Sequence, residues 1–68
     1  MKQFQSVVSD LIAFAIEIDT INAEQFDATV QNPIPAFMMQ NIVNLQSFGY
    51  SISVVNKGSY YRIMIEKN

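Results

Sequence analysis

Apolar residues recur at helical spacing over the first part of the chain. They form one stripe, which consists of Phe4, Val7, Val8, Leu11, Phe14, Ala15 and Ile18. Polar residues occupy most positions between them, as in an amphipathic helix with one face toward a core. Ile12 and Ile16 widen the stripe, which indicates that a second face is covered, either by the small core itself or by a dimer contact. We therefore predict a first helix here.

A second helix is predicted after a short break. Asn22, with a glutamine three residues later, has the pattern of a capping box and marks the start of this helix. Over residues 23–30, Phe26 and Val30 are spaced to face inward together. The helix ends before Pro33, because the residue that precedes a proline is pushed out of helical geometry.

The third predicted helix spans residues 35–48. Proline is favoured at the first helical position, which suits Pro35. Gly49 follows the last turn and can adopt the positive φ of a C-terminal cap. The inward stripe of this helix consists of Met38, Ile42 and Leu45, with Phe48 packing at its end.

From Tyr50 onward the apolar period changes to two, which predicts strands. Two alternating segments are separated by a turn at residues 56–59 that contains Gly58. The core side of this hairpin is predicted to consist of Tyr50, Ile52, Val54, Tyr61, Ile63 and Ile65. A two-stranded hairpin is marginally stable alone, so the helices are expected to cover its apolar face.

The composition favours one small folded domain over residues 1–68, since half of the residues are hydrophobic and only 15% are charged. The chain has no cysteine and no histidine, which excludes disulfides and the usual metal sites, and we predict no metal or cofactor. No signal peptide is recognisable, and no apolar run approaches the roughly 20 residues that span a bilayer. A cytoplasmic protein without membrane association is predicted.

An enzyme is not favoured. Without histidine or cysteine, the catalytic groups of an enzyme would have to be carboxylates, lysine or tyrosine. The acidic residues show no paired spacing in a glycine-framed pocket. The chain has only two glycines and no phosphate-binding loop.

Three stretches carry a resemblance to a known family. They are the segment Ile21-Asn22-Ala23-Glu24-Gln25-Phe26, the spacing of Met38, Ile42, Leu45, Phe48 and Gly49, and Tyr50-Ser51-Ile52 with Gly58 and Tyr61-Arg62-Ile63. In this order they resemble the winged helix-turn-helix domain at the N-terminus of biotin-protein-ligase repressors. The resemblance implies an α+β fold of three helices followed by a C-terminal β-hairpin wing. The helix-turn-helix would span residues 22–48 and the wing residues 50–66.

The resemblance also implies a DNA-binding transcriptional regulator that acts as a homodimer. In the third helix, Gln40, Asn41 and Asn44 would read adenine edges, and either Phe37 or Met39 would contact a thymine methyl. Lys57 and Arg62 would touch phosphate. Ordinary solvated helix surface and plain turn chemistry are the competing explanations for these polar residues. The predicted DNA-binding or protein-interface residues are Ala36, Phe37, Met39, Gln40, Asn41, Val43, Asn44, Lys57 and Arg62.

The negative net charge of the chain and the apolar residues of its third helix favour a protein partner over DNA. The net charge is −2, and phosphate binding relies on cations, of which the chain has only Lys2, Lys57, Arg62 and Lys67. The third helix also carries more apolar side chains than one small domain can bury, and such patches mark protein partners. The excess consists of Phe37, Met39 and Val43, to which Tyr60 and Met64 would add. The alternative hypothesis is an acidic winged-helix module that binds another protein or dimerises.

Overall fold

The computed structural model describes residues 3–68, in which two α-helices pack on one face of a four-stranded antiparallel sheet. The elements in chain order are α1 (Phe4–Ile12), β1 (Ala15–Ile21), β2 (Gln25–Gln31), α2 (Ala36–Asn44), a 3₁₀ helix (Leu45–Phe48), β3 (Tyr50–Asn56) and β4 (Tyr60–Lys67). The strand order is β1-β2-β4-β3, which leaves β1 and β3 as the two edges. Lys2, one of the cations counted above, lies outside the described residues.

The core is a single apolar layer between the sheet and the helices. Its buried members are Phe4, Val7, Val8, Leu11, Phe26, Ala28, Val30, Met38, Ile42, Leu45, Ile63 and Ile65. Along β2 and β4, buried side chains alternate with half-buried or exposed ones, because successive residues of a strand point to opposite faces. The second face of the sheet therefore meets solvent, as is common for antiparallel sheets.

The predicted second helix is wrong, because residues 25–31 form β2. Phe26 and Val30 are four residues apart, and that spacing places two side chains on one face of either a helix or a strand. Ala28 lies between them and is fully buried, which selects the strand period of two. The β-branched pair Thr29 and Val30 also favours a strand.

The predicted first helix ends too late. The helix stops at Ile12, and residues 15–21 form β1 along the edge of the sheet. The sequence of this segment alternates Ile16 and Ile18 with Glu17 and Asp19, which is a strand pattern that the longer helical stripe concealed.

The predicted capping residue acts in a turn instead. Asn22 Oδ1 accepts a hydrogen bond of 2.9 Å from the backbone N–H of Glu24, inside the connection between β1 and β2. Asparagine makes this contact with a backbone N–H two residues on at turns as well as at helix starts, so the same chemistry closes a hairpin here.

The third helix and the hairpin are present, but the winged helix-turn-helix is not formed. The helix comprises α2 and the 3₁₀ helix, and Gly49 follows with a φ of 88°, as predicted. The hairpin is β3 and β4, with Gly58 in its turn. It does not protrude as a wing, because β4 also pairs along its length with β2. Neither the helix-turn-helix at residues 22–48 nor the wing at residues 50–66 therefore exists, and the fold is α+β with a continuous sheet.

Replacing one isoleucine on each of two strands tests the position of the core. Ile65 is fully buried and Ile21 is 51% exposed, while both lie in strands. We expect Ile65→Val to reduce the free energy of unfolding by about 0.5–1.5 kcal/mol through loss of a buried methylene. The same change at Ile21 should stay within about 0.5 kcal/mol. Urea unfolding measures both, and equal losses would contradict this arrangement of the core.

Candidate functional site

The predicted site residues do not form one surface. Seven of them lie on α2, whereas Lys57 lies in the turn between β3 and β4, and Arg62 lies on β4. Arg62 alternates with the buried Ile63, so its side chain is on the open face of the sheet, opposite the helices. A ligand on α2 therefore does not reach Arg62.

The exposed side of α2 combines isolated apolar side chains with amides. Phe37 is 62% exposed and Val43 is 44% exposed, as expected, but about 120° of helix rotation separates them. Gln40 lies between them, and its Nε2 donates a hydrogen bond of 2.9 Å to Asn44 Oδ1. The exposed Ala36 extends this side of the helix and adds little apolar area.

Two of the predicted α2 contacts are turned inward. Met39 is half-buried against the core, and Asn41 is half-buried beside Val7 and Leu11 of α1. Both side chains therefore belong mainly to the packing between the helices and the sheet. Phe37 instead borders an open groove of about 340 Å³ between the helices, next to Ala13 and Phe14.

Two cations of the described residues are engaged within the protein. Arg62 Nη1 donates hydrogen bonds to Asp19 Oδ2 at 2.6 Å and to Thr29 Oγ1 at 2.8 Å. These partners lie on β1 and β2, so Arg62 links three neighbouring strands across the open face. It is therefore already neutralised by a carboxylate.

Lys67 is tied to the other end of the molecule. Its Nζ donates to the carbonyl of Phe48 at 2.9 Å and lies 4.8 Å from the centre of the Tyr50 ring. That ring stacks on Phe4 with 4.8 Å between ring centres. Lys67 thus caps the 3₁₀ helix and covers an aromatic pair.

The largest group of exposed apolar residues belongs to β1. Ile16, Ile18 and Ile21 are 60%, 38% and 51% exposed. In the ladder with β2, Ile18 lies opposite Ala28 and Ile21 lies opposite Phe26, and both of these partners are fully buried core residues. Because directly paired residues share a face, Ile18 and Ile21 continue the core surface beyond the area that the helices cover.

We call Ile18 and Ile21, on the helix side of the sheet, the β1 surface. The sequence prediction missed it because Ile18 was assigned to the inward stripe of a helix. The alternation of Ile16 and Ile18 with Glu17 and Asp19 is the signal that indicates this strand.

Comparisons with protein-family models, with curated proteins and with solved structures find no match to this chain. Within residues 3–68, no helix is long and apolar enough to cross a membrane, and no three acidic side chains are grouped so that they hold a metal ion.

The pair of Asp19 and Arg62 predicts a pH dependence of stability. The hydrogen bond from Arg62, together with its charge, holds the pKa of Asp19 below its usual range. A lowered pKa in the folded state stabilises the fold above the unfolded-state value of about 4, and this stabilisation is lost as pH falls through the folded-state pKa. We expect Asp19→Asn to unfold at a lower urea concentration at neutral pH and to lose less stability on acidification than the unaltered protein.

Glu24→Gln provides the matched control, because Glu24 lies in the turn after β1 and does not contact Arg62. It removes one carboxylate without removing the pair. Urea unfolding of all three proteins at neutral pH and near pH 3 makes the comparison. Identical pH dependence of Asp19→Asn and the unaltered protein would refute a role for the pair.

Proposed function

We propose that this chain is a protein-interaction domain that binds an amphipathic helix of a partner protein on the β1 surface. The observation that carries the proposal is the exposure of Ile18 and Ile21 beside buried Ala28 and Phe26. The proposal retains protein interaction from the sequence hypothesis but not the winged helix. It also moves the binding site from α2 to β1.

The lengths of the elements explain why this part of the sheet is uncovered. Each helix has nine residues and is therefore about 14 Å long, whereas a seven-residue strand extends about 23 Å. Two short helices cannot cover the whole apolar face of the sheet. The uncovered part falls on β1, which is also an edge, so a third helix can lie there without displacing any element.

Burial of the β1 surface supplies useful affinity. The exposed areas of Ile18 and Ile21 together approach that of one fully exposed isoleucine. Burying one such side chain is worth roughly 1.5–3 kcal/mol, or about ten- to a hundredfold in affinity. The β1 surface can therefore anchor a helix, while contacts around it supply the remaining binding free energy.

The charges around β1 indicate what flanks the apolar stripe of the partner. Glu17 lies opposite Thr29 and Asp19 binds Arg62, so both carboxylates lie on the open face of the sheet, opposite the β1 surface. Glu24 is exposed in the turn that follows Ile21, at one end of the β1 surface. The carboxylate of Glu24 favours a lysine or arginine at the corresponding end of the bound helix, because charge complementarity steers association.

DNA binding is less favoured by the same features. The expected recognition helix, α2, carries no charged residue, and Arg62 and Lys67 are engaged by protein groups. Since cations that neutralise phosphate provide much of DNA affinity, these features support a protein partner.

A display library of amphipathic helical peptides tests the proposal. We expect the selected peptides to carry apolar residues at spacings of three and four, with a lysine or arginine near one end of the apolar stripe. Ile18→Asp and Ile21→Asp should each weaken their binding at least tenfold, since each places an unpaired charge in the apolar contact.

Val43→Asp is the matched control, since Val43 is 44% exposed on α2 and receives the same chemical change. It should leave binding unchanged, and circular dichroism should show that all three variants are folded. Selected peptides that bind the β1 variants as well as the unaltered protein would exclude this site. A library that yields no helical binder would count against the function itself.

A further inference from the structure

We propose that two copies of this chain associate through β3, and that antiparallel pairing of the two β3 strands forms one continuous eight-stranded sheet. The proposal concerns the edge opposite β1 and is independent of the partner helix proposed above. It rests on hydrogen-bonding direction, on charge and on the difference between the two edges of the sheet.

The two edges of the sheet differ in regularity. The pairing of β1 with β2 has two irregularities, one between Ala15 and Glu17 and one between Ile18 and Thr20. Irregular pairing and charged side chains hinder the addition of another strand, and β1 carries both Glu17 and Asp19. A copy of β1 would also place carboxylates near one another. The β1 edge is therefore protected against self-pairing.

The β3 edge has none of these protections. Its register with β4 is unbroken from Tyr50 to Asn56. The strand contains no charged residue, no proline and no glycine. An exposed, regular and uncharged edge is a template for strand pairing.

The hydrogen bonds at both ends of β3 reveal which backbone groups face outward. Lys57 N–H donates to the Tyr60 carbonyl, and Asn68 N–H donates to the Gly49 carbonyl. In an antiparallel ladder, hydrogen-bonded pairs alternate with non-bonded pairs, so the odd-numbered residues of β3 bond to β4. The N–H and C=O groups of Tyr50, Ile52, Val54 and Asn56 point away from β4. β3 is an edge of the sheet, so no strand of the described residues lies on that side to pair with them.

These outward groups fit a second copy of the same strand. An antiparallel register centred on Ser53 pairs the entire strand with itself and places Ile52 opposite Val54 of the other copy. Both are outward-bonding residues, so each such pair exchanges two backbone hydrogen bonds. Ser53 lies opposite itself at the two-fold axis as a non-bonded pair. The contact is self-complementary, which a symmetric dimer requires.

The side chains are also compatible with this register. Ile52 and Val54 are half-buried on the helix side of the sheet, and each would gain an apolar neighbour from the other copy. Ser51, Ser53 and Val55 lie on the open face, where no charge opposes its copy. A small domain with a limited core gains stability from this burial.

A charge exchange at Ser53 tests the register. In the proposed dimer, Ser53→Lys places two positive charges directly opposite each other, and Ser53→Glu places two negative charges there. Like charges in this position destabilise the pairing of the strands. Sedimentation equilibrium over a concentration series should show a dimer for the unaltered protein. Each variant alone should dimerise at least tenfold more weakly, and an equimolar mixture of the two should form the heterodimer. Only a contact of residue 53 with its own copy predicts this restoration.

Gln31→Lys is the control, because it adds the same charge at the exposed end of β2, away from β3. It should dimerise as the unaltered protein does, and so should Ile18→Asp, which affects only the β1 surface. An unaltered protein that stays monomeric throughout the series would overturn the dimer. Single variants that associate normally, or a mixture that does not, would overturn pairing centred on Ser53.

Amide hydrogen exchange provides a second readout without a mutation. The amides of Ile52 and Val54 should exchange rapidly at low protein concentration and become protected as concentration rises. Those of Ser51, Ser53 and Val55 bond to β4 and should be protected at both concentrations. Unchanged exchange of Ile52 and Val54 in a sample that is dimeric by sedimentation would place the dimer contact elsewhere and refute the proposal.

Discussion

The structure depends on how one apolar layer is shared between a four-stranded sheet and two short helices. The buried residues of α1 and α2 pack against the central strands of the sheet, so the helices cover mainly β2 and β4. The buried residues of these strands are Phe26, Ala28 and Val30 of β2 and Ile63 and Ile65 of β4. A chain of this length buries only about 60% of the surface that it exposes when unfolded. Its edges consequently keep apolar surface and unpaired backbone groups, and both proposed contacts follow from this shortage.

The polar contacts stabilise the margins of that layer. Arg62 connects β4 to Asp19 on β1 through the open face, while Lys67 connects the end of β4 to the 3₁₀ helix and Tyr50. Each contact fixes an edge strand relative to the centre of the sheet. Because both are partly exposed, each contributes modestly to stability, and their main effect is to position the edges.

Much of the second half of the fold was predictable from sequence. The stripe of Met38, Ile42 and Leu45 has only a helical interpretation, and the alternation from Tyr50 onward has only a strand interpretation, so both predictions are confirmed. The first half was not. The spacing of Phe26 and Val30 fits a helix and a strand equally well. Ala28 is fully buried, but a small residue gives little indication in the sequence that it belongs to the core.

The candidate site was harder to predict than the fold. Exposure of Phe37 and Val43 was expected from the excess of apolar residues on their helix, and both are exposed. The β1 surface was hidden, because Ile18 was counted as part of a helical stripe and therefore as buried. Exposure depends on what lies above a residue, and periodicity within one segment contains no information about that.

By itself, the sequence determined that the chain folds around an apolar core, that a helix closed by Gly49 precedes a hairpin, and that no cysteine or histidine chemistry is available. Only the tertiary structure decided that residues 15–21 and 25–31 are strands, that the hairpin joins them in one sheet, and that β1 and β3 are its edges. The physical reason is that strand pairing is non-local. A strand is stabilised by hydrogen bonds to residues far away in the chain, so its local sequence specifies the pattern of its faces but not its neighbours.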